Sequence, residues 1–170
     1  MEIIRFIIPI IEFIFFIYFA FAALYILLFA FAGVFPLKQK KPAKSHNRKF
    51  AVLIPGYKED AVIVDVATEA LKQNYPDDKF DVVVIADSFQ QATLQKLREL
   101  PIKLVEVSFE VSTKSKALNK AMAEIGDNYE VALILDADNV MAPDFIQKIN
   151  TAFDNGYKVV QGHRTAKNIN

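Results

Sequence analysis

The hydrophobic pattern divides the chain into a long apolar stretch and a later region of short alternating patterns. From Ile3 to Phe35 the sequence is almost wholly apolar, and from Phe13 onward this stretch contains no charged residue. It exceeds the roughly 20 residues that a helix needs to cross a bilayer. We therefore predict one transmembrane anchor within residues 1–36. A cleaved signal peptide is disfavoured, because its apolar region is only about 7 to 15 residues long.

The charges that flank the apolar stretch predict its orientation. Only Arg5 lies on the first flank, whereas six basic residues follow Pro36: Lys38, Lys40, Lys41, Lys44, Arg48 and Lys49. Positive flanks stay on the cytoplasmic side of a membrane. We therefore predict a single-pass protein of the cell membrane, with residues 37–49 as a basic linker beside the lipid bilayer and residues 50–170 as a cytoplasmic domain.

Beyond residue 50, runs rich in valine and isoleucine alternate with longer segments of helical spacing. Five runs are typical of strands buried on both faces: Phe50 to Ile54, Asp81 to Ala86, Lys103 to Val107, Val131 to Leu135, and Lys158 to Gln161. Four segments have helical spacing: Ala61 to Gln73, Gln91 to Leu100, Lys114 to Ile125, and Pro143 to Asn155. The alternation predicts an α/β domain with a mostly parallel sheet and helices on both faces. Ligands bind such sheets beyond the carboxyl ends of the strands.

Composition and charge narrow the range of functions. Lysine plus arginine balance aspartate plus glutamate at 20 each, and the basic residues cluster in one segment rather than along a stripe. We therefore expect no nucleic-acid partner. The absence of cysteine excludes disulfides, thiolate catalysis and zinc sites with sulfur ligands.

Polar residues follow four of the predicted strands, at the edge where a ligand is expected. They are Pro55-Gly56-Tyr57-Lys58-Glu59, Asp87-Ser88, Asp136-Ala137-Asp138-Asn139 and Gln161-Gly162-His163-Arg164. Neither a glycine-rich dinucleotide fingerprint nor a P-loop is present to hold phosphate. A divalent cation would stabilise the close carboxylates Asp136 and Asp138 and would also bind a diphosphate. Taken alone, the pair is equally compatible with a turn or a helix cap.

Four motifs, taken in order, resemble family 2 glycosyltransferases, which have the GT-A fold. They are Pro55-Gly56-Tyr57-Lys58-Glu59, Val84-Ile85-Ala86-Asp87-Ser88, Lys114-Ser115-Lys116-Ala117-Leu118-Asn119, and Leu133-Ile134-Leu135-Asp136-Ala137-Asp138. The resemblance implies a Rossmann-like, nucleotide-sugar-binding GT-A domain behind one transmembrane helix. The implied enzyme is a membrane-bound glycosyltransferase that moves a sugar from a nucleoside-diphosphate sugar, such as a UDP-sugar, to a glycan or lipid acceptor in polysaccharide or cell-envelope synthesis.

The resemblance also implies residue roles. Six residues would bind the donor: Pro55, Tyr57 and Glu59 around the nucleoside, Asp87 at the base, Lys114 at the diphosphate, and Asp136 at the nucleotide sugar. Asp136 and Asp138 would hold the nucleotide sugar and a Mg or Mn ion, the second aspartate being the usual metal ligand in the family.

The sequence departs from the family at several points. Lys58 replaces the usual asparagine, and Ala86 stands where a second acid is common. The general base of the transfer is expected beyond Asn170, so we expect the chain to be the N-terminal portion of such an enzyme, truncated at its C-terminus. We interpret His163 as a local hydrogen-bonding residue rather than a catalytic one.

Two other functions remain compatible with the sequence. The run Leu133 to Val140 also resembles the motif of haloacid-dehalogenase-like phosphatases, with Asp136 as nucleophile and Asp138 as acid/base. Three predicted strands precede it here, whereas that family places the motif on its first strand. The second alternative is a catalytically inactive, membrane-tethered nucleotide-binding remnant.

Overall fold

A computed structural model describes residues 2–35 and 46–165, which belong to two compact units. The first unit consists of helix α1 (Glu2–Val34), with Pro9 near its start. Its segment Arg5–Val34 has a mean hydropathy of 2.6 and is long and apolar enough to cross a membrane. The predicted apolar helix is therefore confirmed. Its insertion in a membrane stays a prediction, since a signal sequence passes the same test of length and composition.

The second unit is a parallel sheet covered by helices. Its four strands, in the spatial order β3-β2-β1-β4, are β1 (Phe50–Tyr57), β2 (Phe80–Asp87), β3 (Lys103–Val107) and β4 (Val131–Ile134). Its helices are α2 (Ile63–Ala70), α3 (Gln91–Arg98), α4 (Lys114–Ile125) and α5 (Phe145–Asp154), with one 3₁₀ turn at Asp77–Lys79. All three strand pairs are parallel, as the alternation of strands and helices predicts.

The strand register brings the carboxyl ends of three strands level. Tyr57 is paired with Asp87, and Asp87 is paired with Val107, so β1, β2 and β3 end side by side. Strand β4 ends earlier, since its last residue, Ile134, is paired with Leu53 of β1. The residues that follow β4 consequently lie beside the last residues of β1.

Burial on both faces of the sheet explains the continuous apolar runs. Phe50, Val52 and Ile54 of β1 belong to a core cluster with residues of α2, α3 and α5. Ala51 and Leu53 belong to a second cluster with residues of α4. Successive strand residues point to opposite faces, so a strand covered on both sides must be apolar throughout.

The prediction of a fifth strand at residues 158–161 is wrong. This segment is irregular and pairs with no strand among residues 46–165. Val160 packs partly against the core, but Val159 is 87% exposed. The two valines satisfy the residue pattern of a strand, whereas a strand also requires a neighbouring backbone edge with which to pair. Strand β4 therefore forms one edge of the described sheet.

Two residues that we predicted to be part of the basic linker, His46 and Arg48, contact α5. The side chain of Asn150 is completely buried, and its Nδ2 donates to the carbonyl oxygen of His46 at 2.9 Å. Its Oδ1 accepts from Nη1 of Arg48 at 3.1 Å, and the same nitrogen lies 2.5 Å from Oδ1 of Asp154. The charge of Arg48 is thus neutralised within the second unit. The lysines of the linker from 38 to 44 lie outside the described residues, and the division into anchor, linker and donor-binding domain stays a prediction.

We predict that Asn150→Ala destabilises the second unit by about 2 kcal/mol, because it removes a fully buried amide together with its hydrogen bonds to His46 and Arg48. Thermal unfolding followed by near-UV circular dichroism would measure the loss. Gln147→Ala is a matched control, since Gln147 is exposed on the same helix. Equal unfolding midpoints for the two variants would contradict the prediction.

Candidate functional site

One cleft lies beyond the carboxyl ends of β1, β2 and β4 and at the start of α4. Its volume is about 380 Å³. Its lining includes all seven residues that we predicted to bind a donor or a metal: Pro55, Tyr57, Glu59, Asp87, Lys114, Asp136 and Asp138. The register of the sheet accounts for this convergence, because parallel strands deliver their carboxyl ends to the same edge.

The end of β1 forms one wall of the cleft. Pro55 and Tyr57 line it, and Tyr57 is 52% exposed, with Nζ of Lys58 5.1 Å from the centroid of the tyrosine ring. Gly56 between them is in close contact with Phe89, since a Cβ atom at this position would lie 2.7 Å from Cζ of that ring. Only glycine fits there without displacing Phe89. The exposed ring of Tyr57 offers a flat surface on which an aromatic base can stack.

Asp87 lies at the floor of the cleft, where β2 ends. Its side chain is buried and Oδ1 accepts a hydrogen bond of 3.0 Å from the hydroxyl of Ser88. Lys58 and Ser88, which follow the paired residues Tyr57 and Asp87, have φ angles of 54° and 59°. Non-glycine residues adopt this left-handed region at a cost, and such strain is concentrated at functional sites. The two turns lead the chain away from the sheet just beyond Tyr57 and Asp87.

The loop after β1 is tied to the loop after β2. Oδ1 of Asp60 accepts a hydrogen bond of 2.9 Å from the backbone N–H of Gln90, at the start of α3. Hydrogen bonds from Thr93 and Gln90 lower the pKa of Asp60 below its ordinary value. The exposed Glu59 precedes Asp60, and its carbonyl oxygen accepts from the N–H of Ile63 at 3.1 Å. Asp60 therefore caps a helix that is distant in sequence, a role that its local sequence does not reveal.

Asp136 and Asp138 line one part of the cleft, which we call the acidic corner. Nζ of Lys114 contacts Oδ1 of Asp136, and Nη2 of Arg164 contacts Oδ2. The hydrogen bond from Lys114 and the positive charges of both side chains lower the pKa of Asp136, although partial burial acts in the opposite direction. Asp138 is exposed in the same cleft and forms no hydrogen bond or ion pair with another described residue. The corner therefore combines one ionised, paired carboxylate with one that is open to solvent.

The start of α4 adds groups suited to an anion. Thr113 caps the helix, since its hydroxyl accepts from the N–H of Lys116 at 3.3 Å. Ser112 lines the cleft, and its buried hydroxyl has no hydrogen-bond partner among the described residues. The N-terminus of a helix carries partial positive charge, which attracts negatively charged groups. Lys114 also lines the cleft, whereas Nζ of Lys116 donates to the carbonyl oxygen of Val111 at 2.9 Å.

We did not predict Ser112, Thr113 or Arg164 as site residues. The serine and threonine directly precede a predicted helix, so their capping position was a usable signal. Arg164 belongs to the polar segment Gln161-Gly162-His163-Arg164 at the expected ligand edge, but its contact with Asp136 depends on the path of the chain after α5. His163 is exposed and does not line the cleft.

The donor atoms of the acidic corner fit a hard divalent cation. Asp136 and Asp138 supply carboxylate oxygens, which Mg and Mn favour. Within residues 2–35 and 46–165, no group of three or more acidic, histidine or cysteine side chains is placed to hold a metal. Mg commonly binds proteins through one or two carboxylates and completes its shell with phosphate oxygens and water. The arrangement therefore fits a cation that is shared with a bound diphosphate.

Comparisons with known proteins agree with the fold. The model of the family described as glycosyltransferase like family 2 matches residues 46–170. The probable glycosyltransferase YdaM of Bacillus subtilis (strain 168) is 30% identical over 98 residues, which are 54% of this chain and 23% of that protein. The chain thus spans about a quarter of that relative's length.

Two solved structures are similar at the level of the fold. Residues 1–349 of S. aureus TarS in complex with UDP match with a TM-score of 0.53 and 24% identity, over 62% of this chain and 32% of that one. The mannosyltransferase PcManGT of Pyrobaculum calidifontis, in complex with GDP-Man and Mn²⁺, matches with a TM-score of 0.52 and 24% identity, over 69% and 35% of the two chains. The chain belongs to the glycosyltransferase like family 2, and its second unit has the parallel α/β fold of the GT-A glycosyltransferases.

Proposed function

We propose that the chain provides the nucleotide-sugar site of a membrane-bound glycosyltransferase. The reaction would transfer a sugar from a nucleoside-diphosphate donor to a glycan or lipid acceptor during polysaccharide or cell-envelope synthesis. The observation that carries the proposal is that one cleft gathers Tyr57, Asp87, Lys114, Asp136 and Asp138 at one edge of the sheet. Membership of the glycosyltransferase family favours this function over the phosphatase alternative.

The nucleoside would occupy the part of the cleft formed by β1 and β2. Tyr57 offers an exposed ring for stacking, while Asp87 offers a buried carboxylate that accepts hydrogen bonds. Pro55 and Glu59 complete this part of the lining. The similar TarS and PcManGT structures contain UDP and GDP-Man, respectively, which supports a nucleoside diphosphate as the ligand class.

The diphosphate would lie at the start of α4, near Lys114 and near the Ser112 hydroxyl, which has no partner among residues 2–35 and 46–165. Asp136 and Asp138 would hold a Mg or Mn ion. When bound, such an ion stabilises negative charge on a departing nucleoside diphosphate. The general base of the transfer stays a prediction for a segment beyond Asn170.

Calorimetric titration of the full chain in detergent micelles, with UDP and with GDP in the presence of Mn²⁺, tests this function. We expect one of the two nucleotides to bind, and we expect the binding to depend on Asp138. The proposal fails if neither nucleotide binds, or if a variant without the Asp138 carboxylate binds as well as the wild type.

We also propose that α1 anchors the protein in the cell membrane, with the second unit on the cytoplasmic side. The hydropathy of Arg5–Val34 and the basic residues after it support this orientation. The lipid bilayer would then be a permanent partner of the chain.

The absence of cysteine allows a direct test of this topology. We predict that a single cysteine at the exposed Gln95 of α3 reacts with a membrane-impermeant maleimide in inside-out vesicles but not in intact cells. A cysteine at Ile3, just before the candidate span Arg5–Val34, is the matched control and should show the reverse pattern. Labelling of both cysteines from the same side would contradict a single crossing, and labelling of Gln95→Cys in intact cells would contradict the orientation.

A further inference from the structure

Arg164 reaches the acidic corner from the segment that follows α5. Nη2 of Arg164 contacts Oδ2 of Asp136, while Nζ of Lys114 contacts the other carboxylate oxygen. Both oxygens of Asp136 are therefore engaged by cationic side chains. The side chain of Arg164 is nonetheless 73% exposed, so it is held at the corner by this ion pair rather than by burial.

The backbone before Arg164 is held against the second unit. Val160 packs against the core, and Gly162 lies so close to the ring of Phe145 that a Cβ atom would be 2.6 Å from Cε2. This contact lies two residues before Arg164, whose side chain reaches Asp136. An exposed side chain on an anchored backbone can exchange one partner for another without rearrangement of the fold.

The two contacts of Asp136 conflict with its proposed role toward a cation. A divalent ion at Asp136 would compete with Arg164 for Oδ2, and the two positive charges would repel each other. A bound diphosphate would at the same time bring new acceptor oxygens into the cleft. The planar guanidinium group forms paired hydrogen bonds with phosphate as readily as with carboxylate.

We propose that Arg164 is a further donor-site residue that pairs with Asp136 before a ligand binds and contacts the diphosphate of the donor when a cation takes Asp136. This inference rests on the function proposed for the cleft. Arg164 would thereby hinder the binding of the cation alone and favour the binding of the cation together with the nucleotide.

The inference predicts opposite effects of one substitution on two affinities. Arg164→Ala should bind Mn²⁺ alone about two- to fivefold more tightly, since an exposed ion pair that competes with the metal is lost. The same variant should bind UDP or GDP in the presence of saturating Mn²⁺ about tenfold more weakly, since a charge-assisted hydrogen bond to phosphate is lost. Arg164→Lys keeps the positive charge but lacks the planar guanidinium group. Its affinities in both measurements should lie between those of the wild type and the alanine variant.

Both affinities would be measured by calorimetry on the full chain in detergent micelles, after circular dichroism has shown that the variants are folded like the wild type. Arg98→Ala is the matched control, since Arg98 forms an exposed ion pair with Glu106 at 2.5 Å and does not line the cleft. This variant should behave as the wild type in both titrations.

Opposite changes in the two affinities would support the role of Arg164. Unchanged affinities would overturn it, and so would a change of both in the same direction, which indicates only that the residue shapes the cleft. If the wild type binds a nucleotide in a manner that depends on Asp138 while Arg164→Ala matches it, the inference alone fails. If the wild type binds neither nucleotide, the proposed function and the inference fail together.

Discussion

Replacement of Asp138 by asparagine is expected to weaken the Mn²⁺-dependent binding of UDP or GDP by about a hundredfold. Asp138 is exposed in the cleft and has no ion-pair partner among the described residues, so its carboxylate is open to a cation. Asparagine keeps the size of the side chain but removes the charge. Removal of a group that hydrogen-bonds to a metal ligand typically lowers metal affinity about 10- to 100-fold. Removal of a ligand itself should lower the affinity by about 100-fold or more.

Calorimetry on the full chain in detergent micelles measures this effect, and Asp127→Asn is the matched control. Asp127 is an exposed aspartate that lies outside the cleft. The control should retain the affinity of the wild type, whereas Asp138→Asn should bind the nucleotide with nearly the same affinity whether or not Mn²⁺ is present. A variant that keeps a strong response to Mn²⁺ would exclude Asp138 as a ligand.

The second large effect is expected at Gly56, where a side chain has no room. A Cβ atom would lie 2.7 Å from Cζ and 3.3 Å from Cε1 of Phe89. Gly56→Ala must therefore displace the Phe89 ring or the end of β1. Overpacking of this kind costs about 1 to 3 kcal/mol of stability. Because Tyr57 and Pro55 flank this position and line the cleft, nucleotide binding should weaken as well.

A double-mutant cycle with Phe89→Leu separates this clash from other effects of the substitution. The smaller side chain removes the ring that the new Cβ atom meets, so the double variant should recover much of the stability that Gly56→Ala loses, relative to Phe89→Leu alone. Denaturant unfolding of the four proteins measures the coupling free energy. Additive effects of the two substitutions would show that contact with Phe89 is not the reason why glycine is required.

Most secondary structure of the second unit could be predicted from sequence because the pattern of apolar residues reflects burial directly. The bounds of β3 and α4 agree with the prediction to the residue, and the other described elements overlap their predicted ranges. Strands β1 and β2 extend further than expected, to Tyr57 and Asp87, since the polar residues at their ends remain paired with each other across the sheet. The pattern of apolar residues indicates which part of a strand is buried. The length of the strand depends on how far its backbone stays paired with the neighbouring strand.

The candidate site could be predicted to the extent that it lies at strand ends and helix starts. Tyr57, Asp87, Lys114 and Asp136 each follow or begin a regular element, and parallel strands bring such positions to one edge. Residues whose position depends on a distant contact carried no comparable signal. Asp60, which caps α3, is one of these residues.

The amino-acid sequence by itself determined the long apolar helix, the alternation of strands and helices and the edge of the sheet where polar residues collect. These features follow from local periodicity and from the burial that each element requires. Tertiary structure alone decided that residues 158–161 form no strand, that Arg48 is neutralised by α5, and that Arg164 contacts Asp136. Each of these depends on which backbone edge or charged group lies nearby in space, and partners more than 25 residues apart leave no periodic trace in the sequence.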